Sequence, residues 1–189
     1  MLPTLHTERL LLRSFEPTDA PAVQELAGHI DVARTTLSIP HPYPDGAAEY
    51  WIKGTGTRAE EGSGYAFAIV HKENLELMGC MGLNVSKPHS RGELAYWVGK
   101  PFWGCGYGTE AAKAVAAFGF DRLGLNKIYA AAMTDNPASS NIMKKLGMSL
   151  EGEFKQHIVK WDQFKDLVYY GMTKADYDRM RMPNGTLPS

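Results

Sequence analysis

The chain has 189 residues, 44% of them apolar, which is enough for one domain with a substantial core. Its 20 Lys and Arg against 21 Asp and Glu leave a net charge of −1, against the strong basic excess of a dedicated nucleic-acid binder. Two cysteines make no disulfide framework, the N-terminus does not read as a secretory leader, and no apolar run reaches the roughly 18 residues a membrane helix needs. A cytoplasmic protein with no nucleic-acid or membrane partner is therefore expected, with residues 1–181 as a single domain and the turn-rich segment 182–189 as a flexible tail.

Taken in order, residues 7–14 carry Leu10, Leu11 and Leu12 between charged residues and read as a first strand. Pro17, Thr18 and Asp19 then offer a cap to a helix that runs through Val23 and Leu26 and stops near Gly28. Residues 29–44, with Pro40, Pro42 and Pro44, read as irregular, and Asp45 is expected to cap a second helix reaching about residue 61. Strands follow over 65–70, 77–85 and 93–98, joined by turns so short that they favour an antiparallel meander. Ala112, Val115, Ala116 and Phe120 recur at helical spacing, which predicts a helix over 109–123 ended by Gly124. A strand over 127–134, a short helix over 139–146 ended by Gly147, and strands over 150–159 and 166–173 complete the chain. The sum is an α+β protein, with a mixed, mostly antiparallel sheet and helices on its faces.

Gly104, Gly106 and Gly108 alternate between a strand and a helix. Glycine permits positive φ and close approach of backbone to ligand. The first helical turn adds free N–H groups and the positive end of the helix dipole, a combination suited to a pyrophosphate. The bland reading of the same residues is a plain turn at a helix start. A triphosphate-binding loop would need a Lys followed by Ser or Thr, which is absent. The dinucleotide fingerprint fits the spacing of Gly106, Gly108 and Ala111, with Asp135 at the end of the next strand. That fingerprint belongs to the first strand-helix unit of a large parallel sheet, whereas here four strands precede it.

The run Gly92-Glu-Leu-Ala-Tyr-Trp-Val-Gly-Lys-Pro-Phe-Trp-Gly-Cys-Gly-Tyr-Gly-Thr-Glu-Ala111 resembles the acyl-CoA-binding core of the GNAT N-acetyltransferase superfamily. It is most similar to the branch of ribosomal-protein N-terminal acetyltransferases. Asn136-Pro-Ala-Ser-Ser-Asn-Ile-Met-Lys-Lys-Leu-Gly147 resembles that branch's Asn-x-x-Ser…Lys-x-Gly segment, and the opening Thr7-Glu-Arg-Leu-Leu-Leu-Arg13 and Asp166-Leu-Val-Tyr-Tyr-Gly171 match as well. The resemblance spans about residues 5–175.

It implies a sheet of six or seven strands, splayed in the middle and flanked by about four helices. Acetyl-CoA is expected as co-substrate, with pantetheine between the strand ending at Val98 and the one ending near Thr134. The pyrophosphate is expected on the amides of Gly104, Gly106 and Gly108, with Cys105, Tyr107 and Thr109 beside it. Asn136, Ser139 and Asn141 are expected on the other side of the cofactor; by spacing alone Asn136 also suits a turn and Ser139 a helix cap. The chain departs from the superfamily at Trp103, where Gln or Arg is usual, which puts that side chain's contribution in question.

Acetyl transfer requires the amine to lose a proton, a donor for the carbonyl oxygen, and a proton for the leaving thiolate. Glu93 is the expected base, acting through water, unless it is simply a solvent-facing strand glutamate. Some members of the branch place a glutamate on a later strand, where this chain has Ile158 beside His157. Ser139 is the expected acid; a tyrosine could serve, and nine tyrosines leave that choice open. The oxyanion donor is expected at the backbone near Val98. No metal and no acetyl-cysteine at Cys105 are expected. Acceptor walls are placed at 39–51, with Tyr43, Tyr50 and Trp51 as contacts, and around Trp161 and Phe164; burial of a helix face is the alternative for Trp51. The acceptor is read as a protein N-terminus, with a small amine (polyamine, amino acid or antibiotic) or a non-catalytic acyl-CoA sensor as alternatives. An exposed strand edge would allow a homodimer.

Overall fold

A computed structural model describes residues 2–182. Eight strands form one sheet: β1 (Leu5–His6), β2 (Leu10–Arg13), β3 (Gly64–His71), β4 (Leu77–Ser86), β5 (Arg91–Val98), β6 (Lys127–Met133), β7 (Ser149–Lys160) and β8 (Gln163–Thr173), in the order β1-β2-β3-β4-β5-β6-β8-β7. The helices are α1 (Ala20–Gly28), α2 (Ile30–Thr35), α3 (Ala47–Glu61), α4 (Tyr107–Ala117), α5 (Pro137–Lys145) and α6 (Lys174–Arg181). None of the described helices is long and apolar enough to cross a membrane.

Strands β3 to β5 form the expected meander because their connections are too short for a crossover, and β2 pairs antiparallel with β3 across the long connection that carries α1, α2 and α3. Helix α4 supplies the crossover that lets β6 lie parallel to β5. That pairing runs only from Arg91↔Lys127 to Leu94↔Ala130. Beyond it, β5 stays with β4 as far as Gly79↔Val98, while β6 stays with β8 as far as Met133↔Leu167. The sheet therefore splays open after Leu94 and Ala130, and this opening positions the site.

Side chains on a strand alternate between faces, and here helices cover both. Ala66, Ala68 and Val70 of β3 pack with Val23 and Ala27 of α1 and Ile52 of α3. Phe67 and Ile69 point the other way and share a core with Ala112, Val115 and Ala116 of α4 and Met143 of α5. Burial on two sides is why β3 reads as an uninterrupted apolar run. Each fully buried large side chain, such as Phe67, contributes about 1.5–3 kcal/mol.

Eight strands and six helices exceed the expected six or seven and four, for local reasons. Strand β1 has two residues, too few for a period, and is held by Leu5↔Leu12. Helix α2 interrupts the stretch read as irregular, with the His29 ring accepting from the Asp31 N–H at 3.1 Å. Helix α6 starts in a capping box between Thr173 and Asp176, a signal obscured by its position at the end of a strand. Helix α3 begins at Gly46 with φ +76°, not at a cap on Asp45. The cap of α5 is Asn136, whose side chain accepts from the Ser139 N–H at 3.2 Å, so Ser139 is inside the helix. Residues 183–189 of the expected tail lie outside the described residues.

Candidate active site

Gly104 and Gly106 stand at φ +78° and +82°, a region most side chains resist. A Cβ at Gly104 would meet nothing within 4 Å, so it is conformation and open space, not packing, that call for glycine there. Gly108 differs, since a Cβ there would press on Ile142 Cδ1 at 3.1 Å. Among the described residues, the N–H groups of Gly104, Cys105 and Gly106 have no protein acceptor, and those of the first turn of α4 follow directly. The loop is thus a set of free donors at a helix N-terminus, which suits a phosphate group.

The loop is braced from the N-terminal segment. Glu110, in the first turn of α4, accepts from Thr7 Oγ1 at 2.6 Å, from the Arg9 N–H at 2.8 Å and from Arg9 Nε at 2.8 Å. The Arg9 guanidinium also donates to the Cys105 carbonyl at 3.0 Å and lies 4.6 Å from the centre of the Tyr107 ring. Burial pushes the Glu110 carboxyl up, but the bonds from Thr7 and Arg9 outweigh it and hold it below the usual range. Its charge is therefore matched, and does not repel an anion at the loop. This accounts for the opening motif around Thr7 and Arg9.

A cleft of about 870 Å³ runs from this loop through the splay. Leu94, Tyr96 and Val98 belong to the core on the α4/α5 face, and Trp97 to the core on the α1/α3 face. Glu93 alternates with Leu94 and so faces α1 and α3. The splay joins the two faces, because the cleft is lined by residues of both.

Val98, Trp103, Gly104, Gly106, Tyr107, Gly108, Thr109, Asn136, Ser139 and Asn141 line the cleft on the loop side, and Glu93, Tyr43 and Trp51 farther along. Three expectations are corrected. Tyr50 is 83% exposed and lies off the cleft, since neighbouring positions on a helix point about 100° apart and Trp51 takes the inward one. The Cys105 side chain is exposed and also off the cleft; the loop uses its backbone. Trp161 and Phe164 do not reach the main cleft either, nor do His157 and Ile158.

The Gly99 N–H donates to the Met78 carbonyl at 2.8 Å, toward β4. Backbone direction alternates along a strand, so the Val98 N–H points into the splay. The Val98 carbonyl accepts from the Trp103 indole N–H at 2.6 Å. Trp103, the departure from the superfamily, thus ties the loop to the end of β5 and satisfies one backbone group, leaving the Val98 donor available.

Ser139 Oγ shares a 2.7 Å hydrogen bond with the hydroxyl of Tyr96. Burial pushes the Tyr96 phenol up in pKa, and the bond to Ser139 offsets part of that. Of nine tyrosines, the fold singles out this one; its position two residues before Val98, on the same strand face, was the available signal. Asn136 also donates from Nδ2 to the Thr35 carbonyl at 3.1 Å, so both ends of its amide are engaged and it clamps α2 to α5. Burial pushes the half-buried Glu93 carboxyl above the usual range, partly offset by a long 3.5 Å bond from the Tyr129 hydroxyl and by Arg91. Arg58, Asn84 and Thr35 also line the cleft and were not legible in the sequence.

The family model of the acetyltransferase (GNAT) domain matches residues 9–149. The chain belongs to the GNAT acetyltransferase family. It is 29% identical over 175 residues, covering 92% of this chain and 98% of the other, to the uncharacterized N-acetyltransferase YoaA of Bacillus subtilis (strain 168). It is 25% identical, with 88% and 86% covered, to the spermidine N(1)-acetyltransferase of Escherichia coli (strain K12). Its fold matches that of RimL, a ribosomal-protein alpha-N-acetyltransferase solved in complex with coenzyme A, with a TM-score of 0.83, 19% identity and 90% and 98% covered. In this GNAT enzyme, Arg9→Met is expected to weaken acetyl-CoA binding about three- to tenfold, the modest value of a half-exposed ion pair. Calorimetric titration checks this, and an unchanged Kd would show that the brace does not shape the loop.

Proposed function

We propose that this acetyltransferase moves an acetyl group from acetyl-CoA to a primary amine, favouring a protein N-terminus, by direct transfer in a ternary complex. The observation that carries the reading is the through-sheet cleft. It joins the glycine loop, the Val98 N–H and Ser139 on one face with Glu93 on the other. Donor and acceptor can then approach from opposite faces and meet in the splay.

Each residue has a defined task. The amides of Gly104, Gly106 and Gly108 hold the pyrophosphate of the co-substrate, and Tyr107, Thr109 and Asn141 flank it. Glu93 takes a proton from the ammonium through water, so that the neutral amine attacks, and the second proton that the nitrogen sheds as the amide forms leaves to solvent by the same water. The Val98 N–H donates to the carbonyl oxygen as negative charge develops; one such donor is worth about 2.7–4 kcal/mol. The N–C bond forms as the C–S bond breaks, and Ser139 gives its proton to the leaving thiolate. Tyr96, hydrogen-bonded to Ser139, can refill it. Tyr43 and Trp51 wall the acceptor side.

The likeness to the ribosomal-protein acetyltransferase branch supports a peptide acceptor. A small amine is the second reading, favoured by the similarity to a spermidine N(1)-acetyltransferase along most of the chain. The test is thiol release from acetyl-CoA against a panel of peptides with free N-termini and of small amines. Turnover of peptides above the small amines is expected. Turnover confined to small amines would transfer the assignment to the second reading, and no turnover with any amine would sink both.

A further inference from the structure

Beside the main cleft lies a second cavity of about 210 Å³, and the two share Thr35 and Asn136 as a common wall. Its remaining walls carry three cations, Arg34, Lys160 and Lys165, against one carboxylate, Asp135. Lys165 is matched by Asp135 at 2.8 Å, and Arg34 is paired with Asp31. Lys160, the last residue of β7, has no such match. It is only 8% exposed, its Nζ donates to the Ile39 carbonyl at 2.9 Å, and no carboxylate of the described residues comes within ion-pair distance. The Trp161 ring, 5.2 Å from Nζ, is the other group that can favour its charge. An ammonium has three donors, and one carbonyl uses one of them. Taking such a charge out of water without an opposite charge is costly, and burial accordingly lowers its pKa.

We propose that this cavity is an anion subsite for the acceptor. The amine to be acetylated belongs to a molecule that also carries a carboxylate or phosphate, and Lys160 binds that group while the amine extends past Thr35 and Asn136 toward Glu93. The arrangement supplies the missing counter-charge to Lys160, with Lys165 and Arg34 at the rim. It also disfavours polyamines, whose second ammonium would face Lys160, a buried cation with no carboxylate partner among the described residues. The anion has two sources, a small amino acid-like molecule or an acidic residue near a protein N-terminus. The proposal rests on the acetyl-transfer reading above and narrows its acceptor.

The test uses the full chain, acetyl-CoA and matched acceptors. The small-molecule arm compares phosphoethanolamine with ethanolamine. The peptide arm compares hexapeptides bearing Glu or Gln at the second and third positions. In at least one arm, kcat/KM is expected to be about tenfold higher for the anionic member, and the arm that responds identifies the source. Lys160→Met is expected to cut that preference about tenfold, and Lys160→Arg to retain most of it. A purely structural strap on Ile39 would leave the preference unchanged while lowering the unfolding temperature. Preferences near one in both arms, or spermidine as the best acceptor, overturn the proposal. If Lys160→Met fails to fold, competition decides: inorganic phosphate should raise KM for the anionic acceptor, and no competition overturns the proposal. If no amine is acetylated at all, the acetyl-transfer reading fails. Calorimetric titration of phosphate into the chain saturated with coenzyme A, so that the glycine loop is filled, then tests the subsite alone. Heat of binding that disappears in Lys160→Met supports the subsite, and its absence in the unmodified chain overturns it.

Discussion

Glu93→Gln is expected to lower kcat/KM for acetyl transfer by about 10²- to 10⁴-fold, the range for losing a positioned base. The substitution keeps the shape of the side chain and removes only its ability to take a proton. The pH profile gives a second readout. Burial holds the Glu93 carboxyl above its usual range, so the unmodified enzyme should gain activity as pH rises through that raised value and then level off. In Glu93→Gln this limb should vanish. The sign for stability is opposite. A carboxyl whose pKa is raised by folding stabilises the protein below its unfolded pKa, and that contribution is lost as pH rises through the folded value. The Gln variant should therefore unfold at a slightly higher temperature than the parent at pH 8, a trade of stability for function seen at many active sites. Near-parental activity across the whole pH range would remove Glu93 from the mechanism.

Gly79→Ala is expected to cost about 1–3 kcal/mol and most of the activity. A methyl group there would stand 2.3 Å from the Trp97 carbonyl oxygen and 2.9 Å from Val98 Cα. Both atoms are backbone of β5, so no side chain can swing aside to relieve the clash. Gly79 pairs with Val98 at the mouth of the splay, and any shift there moves the Val98 N–H. Gly56→Ala is the contrasting control. It lies in the interior of α3 with open space around it, and is expected to add about 0.4–1 kcal/mol. Urea unfolding of both variants, with thiol release measured alongside, checks the pair. A Gly79→Ala protein as stable and active as the parent would show that the close approach is not needed.

Most of the fold was legible because its signals are short-range. The helical period over 109–123, the alternation of glycines at 104, 106 and 108, and the short turns of the meander depend only on neighbours in sequence. The elements that escaped were those with weak local signals, namely two-residue β1, six-residue α2 and α6 at the end of a strand. The loop side of the site was legible for the same reason as the fold. Its acceptor side was not. Nothing near Trp51 says that it turns inward while Tyr50 turns outward, and nothing near Lys160 says that it ends up buried beside Ile39.

The sequence by itself determined the alternating glycines, the helix they open and the family to which they belong, since conformational preference and motif spacing are properties of a few adjacent residues. Only the tertiary structure decided that β5 and β6 part after Leu94 and Ala130, that Tyr96 rather than another tyrosine meets Ser139, and that Lys160 is buried with no carboxylate in ion-pair reach among the described residues. Those outcomes depend on contacts between residues far apart in the chain, 43 positions for Tyr96 with Ser139 and 121 for Ile39 with Lys160. Strand order and sheet twist set such contacts, and neither is written in any local stretch of the chain.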